Sequence, residues 1–445
     1  MGSTLVSEAF ELNEGNTAWM LTSAAIVLMM TVPGLAFFYG GMVRSKSVLN
    51  MLMLNFIAVG TVGFVWVLYG YSMAFGPNTT GLGQFVSSPT TYFGLGGLTD
   101  DLSLLGFMGV PALVAVGFQA TFAVITVALI SGAIADRIKF GTWVAFTVVW
   151  VTLVYFPLAH MVWGGGFLSP VGKVAGWLSA PIDFAGGTVV HINAGIAGLA
   201  LVLLLGKRKG WPREPIRPHN LPYTMLGAGL LWIGWFGFNA GSEGGADSVS
   251  GRAWVNTFVA TCLAMLTWLI VEKIRDGHAT SLGAASGIVA GLVAITPAAA
   301  AVDTYGAIAI GAIAGVVCAL AVGLKFKFGY DDALDVVGVH LVGGLTGTLL
   351  IGLFATTNQG AWYPDGAKDG LFYGGGWTQL ASQAVVALFA VVFSFVLTMV
   401  IGLVLKAITG LRLSEEDEVN GIDLAVHGET AYETLGGTRV LTEVN

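Results

Sequence analysis

The stretch Asp183-Phe-Ala-Gly-Gly-Thr-Val-Val-His191-Ile-Asn-Ala-Gly195-Ile-Ala-Gly198 decides how this chain folds, because a shorter echo returns as His340-Leu-Val-Gly-Gly344-Leu-Thr-Gly347. Both copies read H-x3-G-x2-G, and each follows an acidic residue, Asp183 or Asp335. Each also lies in an apolar run of about twenty residues, long enough to cross a hydrocarbon core of about 30 Å. The copies fall in the fifth and tenth such runs. Five crossings apart, they must point in opposite directions, which is the plan of an inverted repeat with a site near the midplane between its halves.

Working outward, the apolar runs predict eleven membrane spans, at 17–40, 48–75, 108–134, 140–163, 186–206, 222–242, 253–273, 280–297, 303–325, 336–355 and 378–409. The fold class is therefore an all-α membrane protein, a 5+5 inverted repeat plus a final helix. Of 445 residues, 55% are hydrophobic and 10% charged, where a soluble chain carries roughly 25% charged. The 64 glycines suit helices that must approach closely in lipid. The eighth run is the shortest and is rich in Gly and Ala.

Loop charge orients the bundle. Arg44 and Lys46, Arg137 and Lys139, the Lys207 to Arg217 cluster, Lys273 and Arg275, Lys325 and Lys327, and Lys406 and Arg412 follow the odd-numbered spans. The opposite side holds only Lys173, Arg252 and Lys368. The positive-inside rule then puts the N-terminus outside and the C-terminus inside a cell membrane. The expected parts are an extracellular segment 1–16, a transmembrane domain 17–410 and a cytoplasmic tail 411–445. No basic n-region precedes the first span, so no cleaved signal peptide is expected. The tail carries Glu415, Glu416, Asp417, Glu418, Asp423, Glu429, Glu433 and Glu443 against Arg439 alone. It accounts for the whole net charge of -7 and reads as a soluble appendage.

Several function classes find no support. No G-x-x-x-x-G-K-[ST], C-x-x-C or H-E-x-x-H pattern is present, so neither an enzyme, a cofactor, a metal centre nor a nucleic-acid partner is expected. Cys262 and Cys318 sit in apolar runs and read as small hydrophobic fillers. Ionisable residues inside spans are costly and usually functional. His191 and His340 are the prominent ones. Each could be a neutral imidazole bonded to a neighbouring helix, but equivalent repeat positions favour a functional pair. Two neighbouring imidazoles in a dry site cannot readily both be charged, so one donates to the other.

Aromatic residues gather at one end. Trp235, Phe238, Asn239 and Ser242 share a helical face, Phe118 and Phe122 lie one turn apart, and Trp163 closes the fourth span at the same level. An ordinary interfacial belt is one reading. A cup of ring faces with a hydroxyl on its rim, fit for a small cation, is the other. Asp183 precedes Gly186-Gly187-Thr188 and reads as a helix cap, with a direct ion ligand as the alternative.

These segments resemble the ammonium transporter (Amt/Mep/Rh) family, in its bacterial Amt branch. The resemblance rests on Pro33-Gly-Leu-Ala-Phe-Phe-Tyr-Gly-Gly41, Asp183 to Gly195, Trp235-Phe-Gly-Phe-Asn-Ala-Gly-Ser242 and Asp335-Val-Val-Gly-Val-His340, and runs from about residue 16 to 435. It implies an eleven-helix subunit in a homotrimer, each subunit with its own pore for ammonium or ammonia. By position, Trp163, Phe118 and Ser242 look like the outer cation site, and Phe122 and Phe238 like the stacked gate below it. His191 and His340 look like the paired histidines of the conduit. Asp183, Asp335 and Trp235 carry structural or electrostatic expectations. The segment Gly410 to Tyr432 resembles a cytoplasmic tail that contacts the adjacent subunit, on a face where bacteria dock PII-type signalling proteins. The rivals are a Rhesus-type gas channel, which the Trp163 and Ser242 cup and the tail oppose, and an ammonium sensor. Sensors of this kind add a signalling domain, for which the stretch after Leu413 is too short.

Overall fold

A computed structural model describes residues 11–79, 81–98, 109–214 and 217–432. Eleven helices are long and apolar enough to cross a membrane: α1 Glu14–Met42, α2 Val48–Phe75, α3 Ala112–Ile130, α4 Phe140–Val162, α5 Gly187–Leu205, α6 Leu221–Gly241, α7 Ser248–Asp276, α8 Ser281–Ala298, α9 Thr304–Phe328, α10 Val337–Phe354 and α11 Thr378–Ile408. A short helix, α12, spans Glu415–Asn420 in the tail. The described residues contain no β-strand, only two isolated bridges. The first residue expected in the third span, 108, lies outside the described residues. The chain is a multi-pass membrane protein.

Local chemistry sets where the helices begin. Asn220 accepts from the Tyr223 amide at 3.0 Å, Asp247 from Val249 at 2.9 Å and Ser250 at 3.0 Å, Thr280 from Gly283 at 2.8 Å, and Asp303 from Gly306 at 2.8 Å. Each satisfies amides that have no partner inside their helix, which is why short polar residues start α6 to α9.

Polarity runs opposite to that of a soluble protein. Leu388, Val392, Val396 and Val400 form an exposed stripe at four-residue spacing on α11, while Ser382, Gln383, Ser394 and Thr398 of the same helix are buried. An apolar stripe of this length needs lipid against it. The helices most enclosed by protein are α3, α5 and α8. Under a five-helix repeat α3 is the counterpart of α8, and α5 of α10, so the halves build the interior from equivalent elements.

Glycines hold that interior together. A Cβ on Gly195 would lie 2.4 Å from the Leu341 amide nitrogen, and one on Gly344 would lie 3.1 Å from both the Gly187 carbonyl and the His191 Cβ. Each H-x3-G glycine therefore packs on the histidine segment of the other copy. The Gly and Ala content of α8 has the same origin: a Cβ on Gly291 would meet Ala264 Cβ at 2.7 Å and Thr261 Cα at 2.8 Å of α7. Small residues let helices approach where lipid provides no hydrophobic drive.

The tail is less detached than its charge suggests. Glu418 and Asp423 are buried. Glu418 accepts from Arg412 at 2.6 Å and from the Lys209 amide at 2.7 Å, and Asp423 caps α2 through Leu49 at 3.0 Å and Asn50 at 2.8 Å. The expectation of a soluble appendage is corrected for 411–432: these carboxylates clamp the segment to its own chain. Residues 433–445, with Glu433, Arg439 and Glu443, lie outside the described residues.

Overfilling a packed contact costs about 1–3 kcal/mol. Gly195→Ala is expected to lower the thermal unfolding midpoint in detergent. Gly60→Ala, where a Cβ meets nothing within 4 Å, is expected to leave it unchanged. Equal midpoints for the two variants would contradict the packing described.

Candidate functional site

The site begins with an unusual helix start. Asp183, just before α5, accepts the amides of Gly186, Gly187, Thr188 and Val189 at 2.9, 2.6, 2.9 and 3.2 Å. One carboxylate thus satisfies the first amides of α5. Gly186 has φ +112°, a conformation open mainly to glycine. From there the chain enters a π turn, Gly187–Ile192, in which the His191 amide bonds the Gly186 carbonyl at 3.1 Å. Such turns recur at functional positions. Trp163, at the end of α4, donates from Nε1 to the Asp183 carbonyl at 2.9 Å.

The second copy repeats this construction with a different residue from the one the sequence pattern suggested. Asp332, not Asp335, caps α10, accepting Val336 at 3.1 Å and Val337 at 2.7 Å. The π turn Val337–Leu341 follows and carries His340. Asp335 instead pairs with Lys325 at 2.6 Å. Pairing Asp335 with Asp183 is therefore corrected. The signal was available: Asp183 and Asp332 each stand eight residues before their histidine, whereas Asp335 stands five before.

Between the two turns the imidazoles meet. His340 Nδ1 lies 3.3 Å from His191 Nδ1, with ring centroids 5.4 Å apart. One Nδ1 must donate and the other accept, so one Nε2 carries a proton and the other a lone pair. His191 Nε2 is buried and has no hydrogen-bond partner among the described residues. The pair adjoins a cavity of about 10 Å³ walled by Ile125, Leu129, Leu231, Val289 and neighbouring apolar side chains. That is room for about one water-sized molecule.

Aromatic rings cap this cavity. Phe122 and Phe238 stack with centroids 4.0 Å apart and planes 12° from parallel, and Phe238 stands 6.2 Å from the His191 ring. Phe118 lies 4.9 Å and Trp163 6.0 Å from Phe122. Above them opens a cavity of about 460 Å³ lined by Phe122, Trp163, Asp183, Ser242 and Gln119, among others. Ser242 Oγ donates to the Phe238 carbonyl at 2.7 Å, so its lone pairs stay available.

Five of the expected residues thus form one line, Trp163, Phe122, Phe238, His191 and His340, with Phe118 and Ser242 beside its upper part. The single helical face read for the cup divides. Trp235 stacks on His191 at 5.3 Å and 18° and donates to Thr296 at 2.7 Å, placing it at the histidine level. Asn239 is fully buried and donates to Thr257 at 2.9 Å, tying α6 to α7 instead of facing the cup.

Sequence reasoning missed other residues. His160 lies within α4, wholly buried, its ring nitrogens 3.0 Å from the Ala74 carbonyl and 2.8 Å from that of Gly83; it braces the α2–α4 contact away from the line. Gln119 and Glu243 line the upper cavity, and both carried a signal as polar neighbours of singled-out residues. Trp362 and Tyr363 reach it from the loop after α10, which no local pattern could foretell. At the far end, Asp331 joins Arg208 at 2.8 Å and Arg137 at 3.1 Å. Burial opposes its charge, but these guanidiniums hold Asp331 below the usual carboxylate range.

Eleven spanning helices in two inverted halves, closed on a narrow apolar interior, make a polytopic transport protein of the membrane. The chain belongs to the Ammonium Transporter Family, whose family model matches residues 18–432. An ammonium transporter of Mycobacterium tuberculosis (strain ATCC 25618 / H37Rv) is 55% identical over 439 residues, covering 94% of this chain and 90% of the relative. One of Aquifex aeolicus is 49% identical, covering 96% and 95%. Among solved structures, Candida albicans Mep2 superposes with a TM-score of 0.81 at 33% identity, covering 92% of this chain and 88% of its own. A sensor Amt protein does so with 0.81 at 29%, covering 93% and 98%.

Proposed function

We propose that this chain carries ammonium across the cell membrane, taking it up at the aromatic end, removing a proton, and passing ammonia inward along the histidines. The observation that carries this reading is the stacked Phe122–Phe238 pair sealing an apolar cavity bordered by the two histidines. Loop charge supports an outward-facing aromatic end and an inward-facing tail.

Ammonium is close to potassium in size, so a sieve cannot separate them. Moving a bare ion into such a cavity costs on the order of 20 kcal/mol in the Born limit and several kcal/mol after relaxation. Potassium cannot shed its charge. Ammonium can, leaving a neutral molecule that both donates and accepts hydrogen bonds. Trp163, Phe118 and Ser242 form the recruitment site in this account, with ring faces and a hydroxyl acceptor for the cation. Phe122 and Phe238 are the gate. At 4.0 Å between centroids they leave no opening, so passage requires the rings to swing. His191 and His340 then offer one donor and one acceptor at Nε2.

Assembly as a homotrimer and docking of a PII-type protein on the tail-bearing face belong to the same proposal. The folded tail supports it, since α12 and its flanks form an ordered surface anchored to Lys46, Asn50 and Lys209. A trimer mass in mild detergent, and capture of a PII-type protein that changes between ADP and ATP with 2-oxoglutarate, are expected. A monomer, or no capture under either condition, would contradict this part.

The conduit is tested by currents from His191→Ala and His340→Ala proteoliposomes. Removing either imidazole is expected to erode ammonium selectivity over potassium by at least tenfold, about 1.4 kcal/mol. If selectivity survives both changes, the paired-histidine account fails.

A further inference from the structure

The large cavity above the aromatic rings holds a carboxylate the account so far leaves idle. Glu243 follows Ser242 directly, at the turn between α6 and α7, and is one of the residues lining the cavity. It is half-buried and has no hydrogen-bond or ion-pair partner among the described residues. No Lys, Arg or His is among the described residues lining that cavity. A second acceptor belongs to a residue that borders the same space: Gln119 is 8% exposed, and its buried Oε1 has no hydrogen-bond partner among the described residues. A buried carbonyl oxygen left unpaired is costly unless something else supplies a donor.

We propose that Glu243 is an affinity-determining residue of the uptake site, drawing a small cation that can donate hydrogen bonds into the cavity where Gln119 Oε1 and Ser242 Oγ accept from it. This rests on the transport reading above and deepens it. The aromatic faces attract any cation weakly. A full negative charge at the rim raises the local cation concentration and does nothing for neutral ammonia.

The charge on Glu243 depends on pH in the useful range. Burial, and then the neighbouring Asp247, push its carboxyl up to about 7. The other titratable groups facing it are Asp183 and Tyr363 across the cavity. Arg252 of α7 is engaged by Thr304 and Gln359, and Asp183 by four amides. A raised carboxyl is neutral well below pH 7 and ionised above it. Recruitment therefore strengthens as the external pH rises from about 6 to 8.

The test is the concentration dependence of initial ammonium flux into proteoliposomes at external pH 6 and 8, for the wild-type chain and Glu243→Gln. The wild-type KM is expected to fall by roughly two- to fivefold between pH 6 and 8, the size of one charge acting across a few ångströms of wet cavity. Glu243→Gln is expected to hold the pH 6 value at both, and Glu243→Asp to restore the dependence. Added salt should flatten the wild-type difference. Saturable flux with identical KM values for wild type and Glu243→Gln at both pH values overturns this inference alone. Absence of flux from the wild-type chain overturns the transport reading, and this inference with it.

Discussion

Two imidazole nitrogens 3.3 Å apart, Nδ1 of His191 and Nδ1 of His340, are the contact on which the rest of the structure turns. They belong to helices five crossings apart and of opposite direction, so no local structure brings them together. Close approach of α5 and α10 does. Gly195 admits the Leu341 backbone, and Gly344 admits the His191 Cβ. A side chain at either position pushes the helices apart and the imidazoles with them. Once they touch, their proton arrangement is constrained: one shared proton leaves one Nε2 a donor and the other an acceptor.

That contact also needs each helix to start at the right depth. α5 and α10 open with their first amides inside the protein, where unpaired N–H groups cost free energy. Asp183 and Asp332 remove the cost with a carboxylate each. The π turns that follow widen the helix where the histidine projects. The aromatic end is built on the same frame, since Trp163 is oriented by the carbonyl of the capping residue itself. Cap, turn, histidine and rim are thus one mechanical unit, and moving the cap moves all of them.

Much of this could be read from residues alone. Spans are long, and a stretch of about twenty apolar residues has few alternatives in a bilayer, so all eleven appear within a few residues of their expected ends. The histidine pair was legible because the repeat is periodic in whole spans. Phe122 and Phe238 were singled out from spacing, yet their stacking comes from how the tertiary fold places α3 and α6, which no spacing encodes. Asp332 was hidden behind the nearer Asp335, although its distance from the histidine matches that of Asp183. Burial of Glu418 and Asp423 was illegible for a different reason. A run of carboxylates looks solvated until the arginines and backbone amides from distant loops are in place. Trp362 and Tyr363 reach the upper cavity from far along the chain and carry no local mark.

In the proposed account a cation-friendly rim is joined to an interior that rejects charge, and a solute able to leave its proton behind suits both. The most direct measurement is the response of wild-type proteoliposomes to an ammonium jump against an equal potassium jump, read together as current and as lumenal pH. A response that saturates with ammonium and is absent with potassium is the expected result. A response no greater than that of empty liposomes in both channels, or one of equal size for potassium, would contradict the account.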